Sequence, residues 1–210
     1  MTTAAALFCV ATAAFALTNW WSRVSDDQRL ERWSKPLTLV ALTGVAITIE
    51  PAQADVRAWF VVALLFSLAG DVLLLDDRRF VLGLGAFLLG HVAYGIGFVV
   101  AETWRWWAFA VAIAALAAVG ATVGVRIIRG ARAEHAALAG PVVAYLVVIS
   151  AMAAAAAAAG NWWAIAGAGL FVTSDAVLGW RRFVHDEPWM SPTVMITYHL
   201  GQAGLIVSLL

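Results

Sequence analysis

Two aspartates, Asp71 and Asp175, are the residues of this chain whose setting most strongly implies chemistry. Each lies inside a run of apolar residues, FSLAGDVLLL around Asp71 and FVTSDAVLGW around Asp175. A carboxyl group near the centre of a membrane helix costs at least about 2.5–3.5 kcal/mol on insertion scales. Such a group needs water, a partner or a proton, and a pair of such groups can act as a general acid and a general base.

Other polar residues are spaced to lie at a similar depth to the two aspartates. They are Lys35, His91, Tyr94, Tyr145, Ser174, Tyr198, His199 and Gln202. Tyr198 and Gln202 are spaced i,i+4 and therefore share a helix face. Small neighbours such as Gly90 and Gly201 allow helices to approach closely around a cavity. We therefore predict one polar pocket that collects these side chains.

A structural role is the alternative for several of these residues. Asp71 and Asp175 would then pair with His or Arg and lock helices together. His91 fits a hydrogen bond between helices as well as it fits a functional role, and His199 fits a structural role better. Tyr145 remains ambiguous, because tyrosine is common both beside cavities and at membrane interfaces.

The composition places these residues in a membrane protein. Hydrophobic residues make up 63% of the 210 residues and charged residues 12%, against about 45–50% and about 25% in soluble domains. A spanning helix needs about 20 mostly apolar residues, and eight such segments predict an all-α, polytopic fold. The segments are 3–21, 36–50, 57–75, 80–101, 104–125, 137–159, 162–180 and 192–210. Tryptophans near the segment ends are typical of an interfacial belt.

Net charge and cysteine content limit the kinds of binding partner and metal site that this chain could have. The net charge is zero and no basic arm is present, which argues against a nucleic-acid partner. The single cysteine, Cys9, excludes an internal disulfide and, by itself, a cysteine metal site. We expect no metal and no cofactor. The lipid bilayer is the expected partner, in a multi-pass protein of the bacterial cytoplasmic membrane.

The basic residues predict the orientation of the chain. Eleven of the thirteen lie between segments one and two, three and four, five and six, or seven and eight, and only Arg57 and Arg105 lie in the other loops. By the positive-inside rule the basic loops are cytoplasmic and both termini lie outside. Lys35 would then stand at the cytoplasmic lip of the second segment. Asp71 and Asp175 would lie one to two turns from the same side.

The two halves of the chain share landmarks. Each aspartate is followed by an apolar turn and then by Arg-Arg-Phe. Three pairs of residues lie about half a chain apart, namely Asp71 and Asp175, Pro36 and Pro141, and His91 and His199. These landmarks predict one transmembrane domain, 1–210, built from two parallel four-helix repeats, 1–104 and 105–210. Chance similarity among apolar segments is the alternative.

Several motifs resemble those of the YhhN family of membrane proteins. They are Lys35-Pro36, FSLAGDVLLL (66–75), FVLGLGAFLLGHVAY (80–94), AYLVVISAM (144–152), GAGLFVTSDAVLG (167–179) and YHLGQAGLI (198–206). The resemblance implies eight helices, with the two intramembrane aspartates of the family at Asp71 and Asp175. It also implies hydrolysis of the vinyl ether bond of lysoplasmalogens, or of a related ether lysolipid, to a fatty aldehyde and a glycerophospho-alcohol. His199 departs from the family pattern, which expects an aromatic or apolar residue there.

The implied reaction suits two buried acids. One aspartate, kept protonated by apolar surroundings, would donate a proton to the β-carbon of the vinyl ether. The other, ionised, would stabilise the resulting cation and guide water. The sequence does not assign the two roles, although Ser174, Tyr94 or Gln202 could bias them. Lys35, with Arg182 or Arg79, is the candidate to bind the phosphate of the lysophospholipid substrate.

Two other functions fit parts of the pattern. A metal-dependent lipid hydrolase could use Asp71, Asp175, His91 and His199, but no two histidines are spaced i,i+4. A proton-coupled or small-molecule transporter is favoured by paired acids in repeated halves. However, the chain has no obvious pair of broken helices, so the sequence gives less support to alternating access.

Overall fold

The computed structural model describes residues 2–210, and these residues form an all-α structure of eight helices. Three short helical turns of other types accompany them, a π turn at Gly120–Gly124 within α5 and 3-10 turns at Asp77–Arg79 before α4 and at Ala136–Leu138 before α6. The helices are α1 (Thr3–Val24), α2 (Gln28–Thr48), α3 (Ala54–Leu73), α4 (Phe80–Val100), α5 (Trp106–Glu134), α6 (Ala139–Ala159), α7 (Trp162–Phe183) and α8 (Met190–Val207). The predicted number of helices is therefore confirmed.

Six of the eight helices are long and apolar enough to cross a membrane, namely α1 and α3 to α7. The other two carry too many polar residues to qualify by composition. The first turns of α2 hold Arg29, Glu31 and Arg32, and the middle of α8 holds His199 and Gln202. The prediction of eight spanning segments is thus confirmed for six of them.

Helix α2 begins earlier than predicted, and this moves Lys35. The Asp27 carboxylate accepts hydrogen bonds from the backbone N–H groups of Arg29 and Leu30, at 2.9 and 3.1 Å, and caps the helix there. Lys35 consequently lies two turns inside α2, where it is buried. The prediction that Lys35 stands at the lip of the helix was wrong, because hydropathy alone misses a helix start with a charged outer face.

Helix α5 is longer than predicted, and its two halves differ in burial. No residue of its first half, Trp106–Val119, is buried. A π-helical turn at Gly120–Gly124 then rotates the helix, and Ile127 and Ala131 in its second half are buried against α6 and α7. Arg126, Arg129 and Arg132, which the sequence placed in the connection between segments five and six, therefore lie on the last turns of this helix.

The helices form a ring with α5 outside it. Each helix packs on its neighbour in sequence except for α4 and α5, and the ring closes through contacts of α4 with α6 and of α8 with α1 and α2. Short connections between packed neighbours make the chain run up and down. Helices α1, α3, α5 and α7 therefore finish where α2, α4, α6 and α8 begin. We call this the arginine-rich end, since Arg23, Arg32, Arg181 and Arg182 lie there.

Glycines allow the closest helix contacts, as predicted from the small residues. A Cβ at Gly201 of α8 would lie 3.0 Å from the carbonyl oxygen of Gly167 in α7. A Cβ at Gly90 of α4 would lie 3.2 Å from the carbonyl oxygen of Ala63 in α3. These contacts bring the backbone of α8 against α7 and the backbone of α4 against α3. Helices α3 and α7 are the ones that carry the two aspartates.

The outer surface of the ring is apolar, as a lipid-facing surface requires. Four tryptophans, Trp106, Trp107, Trp162 and Trp163, have 73%, 69%, 74% and 55% of their surface exposed, which fits the predicted interfacial belt. Trp20 does not fit it, because this side chain is partly buried and packs against the core. Its indole N–H donates a hydrogen bond to His199 inside the ring.

Candidate functional site

A cleft of about 640 Å³ enters the ring from the arginine-rich end. Both Asp71 and Asp175 line it, together with Lys35, Ser174 and Tyr198. These five residues come from α2, α3, α7 and α8, so the helix packing collects them from distant parts of the sequence. The cleft thus brings together both aspartates and three of the residues predicted to share a polar pocket with them. The others are not part of its lining, namely His91, Tyr94, Tyr145, His199 and Gln202.

Asp71 lies at the bottom of the cleft and is fully buried. The Lys35 ammonium is 3.3 Å from its Oδ1 atom, and the two side chains are 6% and 0% exposed. The Tyr198 hydroxyl donates a hydrogen bond to Asp71 Oδ2 at 3.0 Å. The rings of Phe87 and Phe171 pack edge-on against Tyr198 and fix its position. In a buried setting, an ammonium and a carboxyl group at this distance can compensate each other's charge.

Asp175 has different partners and is nearer the open cleft, with 10% of its side chain exposed. The Tyr145 hydroxyl donates a hydrogen bond to its Oδ2 atom at 2.5 Å. His91 Nε2 lies 3.2 Å from the same oxygen and 2.9 Å from the Tyr145 hydroxyl. Both donors therefore meet Oδ2, and no described side chain is hydrogen-bonded to Oδ1. His91 Nδ1 is buried without a partner in residues 2–210, which fits a tautomer with its proton on Nε2.

Tyr94 and Gln202 form a separate pair beyond the cleft. The Tyr94 hydroxyl donates a hydrogen bond to Gln202 Oε1 at 2.5 Å, and both side chains are fully buried. Neither residue lines the cleft. Gln202 lies one turn after Tyr198 on α8, as its i,i+4 spacing predicts, so this pair supports the helix that carries Tyr198.

Ser174 and His199 connect helices. The Ser174 hydroxyl donates a hydrogen bond of 3.0 Å to the carbonyl oxygen of Val194 on α8. The Trp20 indole N–H donates to His199 Nδ1 at 3.0 Å. His199 thus joins α1 to α8, in keeping with the structural role that its departure from the motif indicated.

The mouth of the cleft is lined by charged residues. Arg23 pairs with Glu31, and Arg181 pairs with Asp186 at 2.7 Å. The hydrogen bond from Arg181 lowers the pKa of the Asp186 carboxyl below its ordinary value. Arg32 also lines the mouth.

Three arginines bear on phosphate binding. Arg32 has no carboxylate of residues 2–210 within ion-pair distance. Arg182 lines the cleft but binds Glu134 through two hydrogen bonds of 2.6 Å. Arg79 pairs with Asp76 at 3.5 Å and is not part of the cleft lining. Arg32 is therefore the cation of this group best placed to meet an anion entering the cleft.

A narrow apolar slot opens off the cleft beside Asp175. It shares Leu74, Phe80, Phe87, Asp175 and Leu178 with the cleft. Beyond Asp175 it runs between α4, α6 and α7, and Ile127 of α5 covers it. Asp175 and Tyr145 are the two residues with polar side chains in its lining. Asp175 thus stands at the boundary between a charged cleft and an apolar slot.

The residues weighed as metal ligands do not come together. Asp71 faces Lys35, whereas His91 faces Asp175 and His199 faces Trp20. Within residues 2–210, no group of three or more His, Cys, Asp or Glu side chains is arranged to hold a metal ion. The geometry brings each of these residues to a different hydrogen-bonding partner instead.

Sequence reasoning missed the contributions of α1 and of the first turns of α2. Trp20 resembles an interfacial tryptophan, and nothing in its sequence position distinguishes the two roles. Arg32 could have been found, because it precedes Lys35 by three residues and shares its helix face once the helix start at Gln28 is known. The slot could not be found, since its walls are ordinary apolar residues from four helices.

Comparison with known proteins gives consistent similarities. The model of the YhhN family matches residues 30–209. A lysoplasmalogenase of Mycobacterium bovis and one of Mycobacterium tuberculosis are each 33% identical over 77% of this chain and 63% of their own. A mouse protein, lysoplasmalogenase TMEM86B, is 39% identical over 33% of this chain and 30% of its own. The chain thus spans less than two thirds of the length of these relatives. No solved structure matches.

Proposed function

The chain belongs to the YhhN family, and on that premise we propose that it is a membrane-embedded hydrolase of ether lysolipids. Its substrate is a lysoplasmalogen or a related lysolipid with a vinyl ether bond, and its products are a fatty aldehyde and a glycerophospho-alcohol. One observation carries the proposal beyond the names of the relatives. Asp71 and Asp175 line one cleft in opposite surroundings, the first paired with Lys35 and the second with Tyr145 and His91.

Asp175 is the general acid in this proposal. Its Oδ2 atom accepts hydrogen bonds from Tyr145 and His91, while Oδ1 has no described partner and is free to carry a proton towards the cleft. When that proton leaves, the two donors stabilise the carboxylate that forms. Asp175 recovers a proton at the end of the cycle, as a general acid must.

Asp71 is the ionised partner. The Lys35 ammonium at 3.3 Å keeps it charged, and the buried setting strengthens its field. A fixed negative charge in the cleft stabilises a cation that forms nearby, as the second carboxylate does in glycosidases. Lys35 thus positions and charges Asp71, and the phosphate-binding role considered for Lys35 passes to Arg32 at the mouth.

The reaction follows from these two roles. Asp175 donates its proton to the β-carbon of the vinyl ether, the double-bond electrons form the new C–H bond, and an oxocarbenium ion results. Water attacks the α-carbon of this ion and gives up a proton to a carboxylate. The hemiacetal then loses its hydroxyl proton, its C–O bond to glycerol breaks, and the departing oxygen takes a proton. One water is consumed, and both carboxyl groups end as they began.

Exchange of each aspartate for asparagine tests this scheme. Asp71→Asn and Asp175→Asn should both abolish aldehyde release from a vinyl ether lysolipid while the purified proteins elute from detergent gel filtration like the wild type. Asp55→Asn is the matched control, because Asp55 is an exposed residue in the first turn of the same helix as Asp71. Full activity of either site variant would refute the scheme.

The same proposal includes a membrane topology. Eight helices cross the bilayer of a bacterial cytoplasmic membrane, with the arginine-rich end in the cytoplasm and both termini outside. The packing of α4 on α6 and of α8 on α2 supports two parallel repeats, because a repeat of four helices maps one contact onto the other. The contact of α1 with α8 has no such counterpart between α4 and α5. An alkaline phosphatase fused to the C-terminus should be active, since this reporter works outside the cytoplasm. An inactive fusion would reverse the orientation.

A further inference from the structure

The apolar slot beside Asp175 extends well past this carboxyl group, further than proton transfer to the substrate requires. It adjoins the cleft from Asp175 to Phe80 and follows α7 towards Phe183 at the arginine-rich end, between the first turns of α4 and α6. Eight residues of helix separate its two ends, which corresponds to about 12 Å at the usual rise of about 1.5 Å per residue. The slot is thus long, narrow and apolar, and one end touches a carboxyl group.

Gly179 and Ile127 pack together and form part of the slot wall. This glycine lies one turn after Asp175, so the two share a face of α7. A Cβ at Gly179 would lie 3.2 Å from Cδ1 and 3.3 Å from Cγ2 of Ile127 on α5. Any larger side chain at this position would therefore have to displace Ile127 or extend into the slot.

Ile127, which packs against Gly179, cannot easily move away. A Cβ at Gly130 of α5 would lie 1.9 Å from the carbonyl oxygen of Phe183, so the two helix backbones are in direct contact. The Arg126 guanidinium also lies over the Trp180 ring, 5.7 Å from its centre. Ile127 is therefore held by contacts on both sides, and the slot keeps a fixed width.

We propose that this slot binds the single hydrocarbon chain of the substrate and that Gly179 and Ile127 select its shape and length. The inference rests on the proposed function, which places the vinyl ether at Asp175. The carbon that receives the proton is the second carbon of the chain, so the rest of the chain must begin beside the carboxyl group. The slot is apolar there, whereas the cleft is lined by charged residues such as Arg32 and Glu31.

The same geometry accounts for a preference for one chain. A second chain on the glycerol would have to lie in the charged cleft, where its methylene groups would displace water from ionised side chains. A straight chain lies along the wall that Gly179 and Ile127 form together, and a methyl branch at that point would press against this wall. Lysolipids with one unbranched chain are therefore the class of substrate that this site accepts.

Filling the slot at Gly179 tests the assignment. In Gly179→Val, kcat/KM for a long-chain vinyl ether lysolipid should fall by about tenfold or more, since each excluded methylene costs about fourfold in binding. A chain of only a few carbons ends before Gly179 and should be cleaved as by the wild type. Gly169→Val is the control on the same helix, because a Cβ there has no atom within 4 Å. It should leave both substrates unaffected.

A second variant guards against simple misfolding. Ile127→Ala widens the slot and should increase the relative rate on a chain with a methyl branch. Equal losses on long and short chains in Gly179→Val, together with an unchanged preference in Ile127→Ala, overturn the assignment. An unchanged chain-length profile in Gly179→Val overturns it as well.

Binding separates this inference from the proposed function. Saturated ether lysolipids of both chain lengths, which this reaction cannot cleave, should raise the melting temperature of the wild type, with the long chain more effective. Gly179→Val should lose that difference. If the wild type binds with this preference but releases no aldehyde from vinyl ether lysolipids, the chain site stands and the proposed reaction fails. If aldehyde is released but Gly179→Val binds both ligands like the wild type, the reaction stands and the chain site fails.

Discussion

The buried pair of Lys35 and Asp71 gives the sharpest quantitative prediction. At 3.3 Å the two charges attract each other by about 5 kcal/mol at an effective dielectric constant of about 20. Removing one partner of a buried pair costs about 3–5 kcal/mol, because the other charge is left without compensation. Lys35→Met and Asp71→Asn should each lower the free energy of unfolding by an amount of this order.

The double variant distinguishes pairing from two independent contributions. Lys35→Met with Asp71→Asn removes both charges together, so its loss should be smaller than the sum of the single losses by about 1–3 kcal/mol. The assay is reversible unfolding in mixed micelles, followed by tryptophan fluorescence, for the wild type and all three variants. The pair of Arg79 and Asp76 is the control, since these side chains are 58% and 47% exposed.

The same cycle at Arg79 and Asp76 should yield a coupling of about 0–1 kcal/mol, as exposed ion pairs do. If the losses at Lys35 and Asp71 add to within about 0.5 kcal/mol, the two side chains do not form a charged pair in the folded protein. The role given to Asp71 as a fixed negative charge would then be wrong. Lys35→Met should also lose aldehyde release, because Asp71 would take up a proton in its place.

Two further substitutions test the hydrogen bond from Tyr145 to Asp175 and the packing of α7 on α8. Tyr145→Phe removes one donor to Asp175 and should lower kcat for aldehyde release by about ten- to a hundredfold, the value of one hydrogen bond to a charged group; a rate within a factor of about two of the wild type would contradict the role of Tyr145. Gly167→Ala places a Cβ 2.7 Å from the backbone nitrogen of Leu205, so it should destabilise the protein by about 1–3 kcal/mol. Gly169→Ala faces open space and should melt like the wild type, and equal melting temperatures for both variants would refute the close packing of α7 on α8.

The sequence allowed the membrane class and the two aspartates to be predicted for physical reasons. Hydrocarbon tolerates a carboxyl group only with a partner, so Asp71 and Asp175 stand out from an apolar background. Their different partners could not be predicted. Lys35 reaches Asp71 because α2 begins at Gln28, two turns before the apolar segment starts.

Other parts of the site depend on packing that has no local signal. Trp20 looks like a membrane-interface residue, yet it donates a hydrogen bond to His199 across the ring. The slot depends on Gly130 and Gly179, which bring α5 against α7. Glycine is common in membrane helices, so contacts of this kind become visible only when the helices are assembled.

Hydrolysis in heavy water tests the proposed reaction most directly. Protonation of the β-carbon by Asp175, which exchanges its proton with solvent, should place one deuterium on the carbon next to the aldehyde carbonyl. A vinyl ether lysolipid should give this labelled aldehyde, detected by mass spectrometry, and the matching saturated ether lysolipid should remain intact. Unlabelled aldehyde incubated with the protein under the same conditions corrects for exchange in the product. Aldehyde without the label, or cleavage of the saturated ether, would contradict acid catalysis at the vinyl ether.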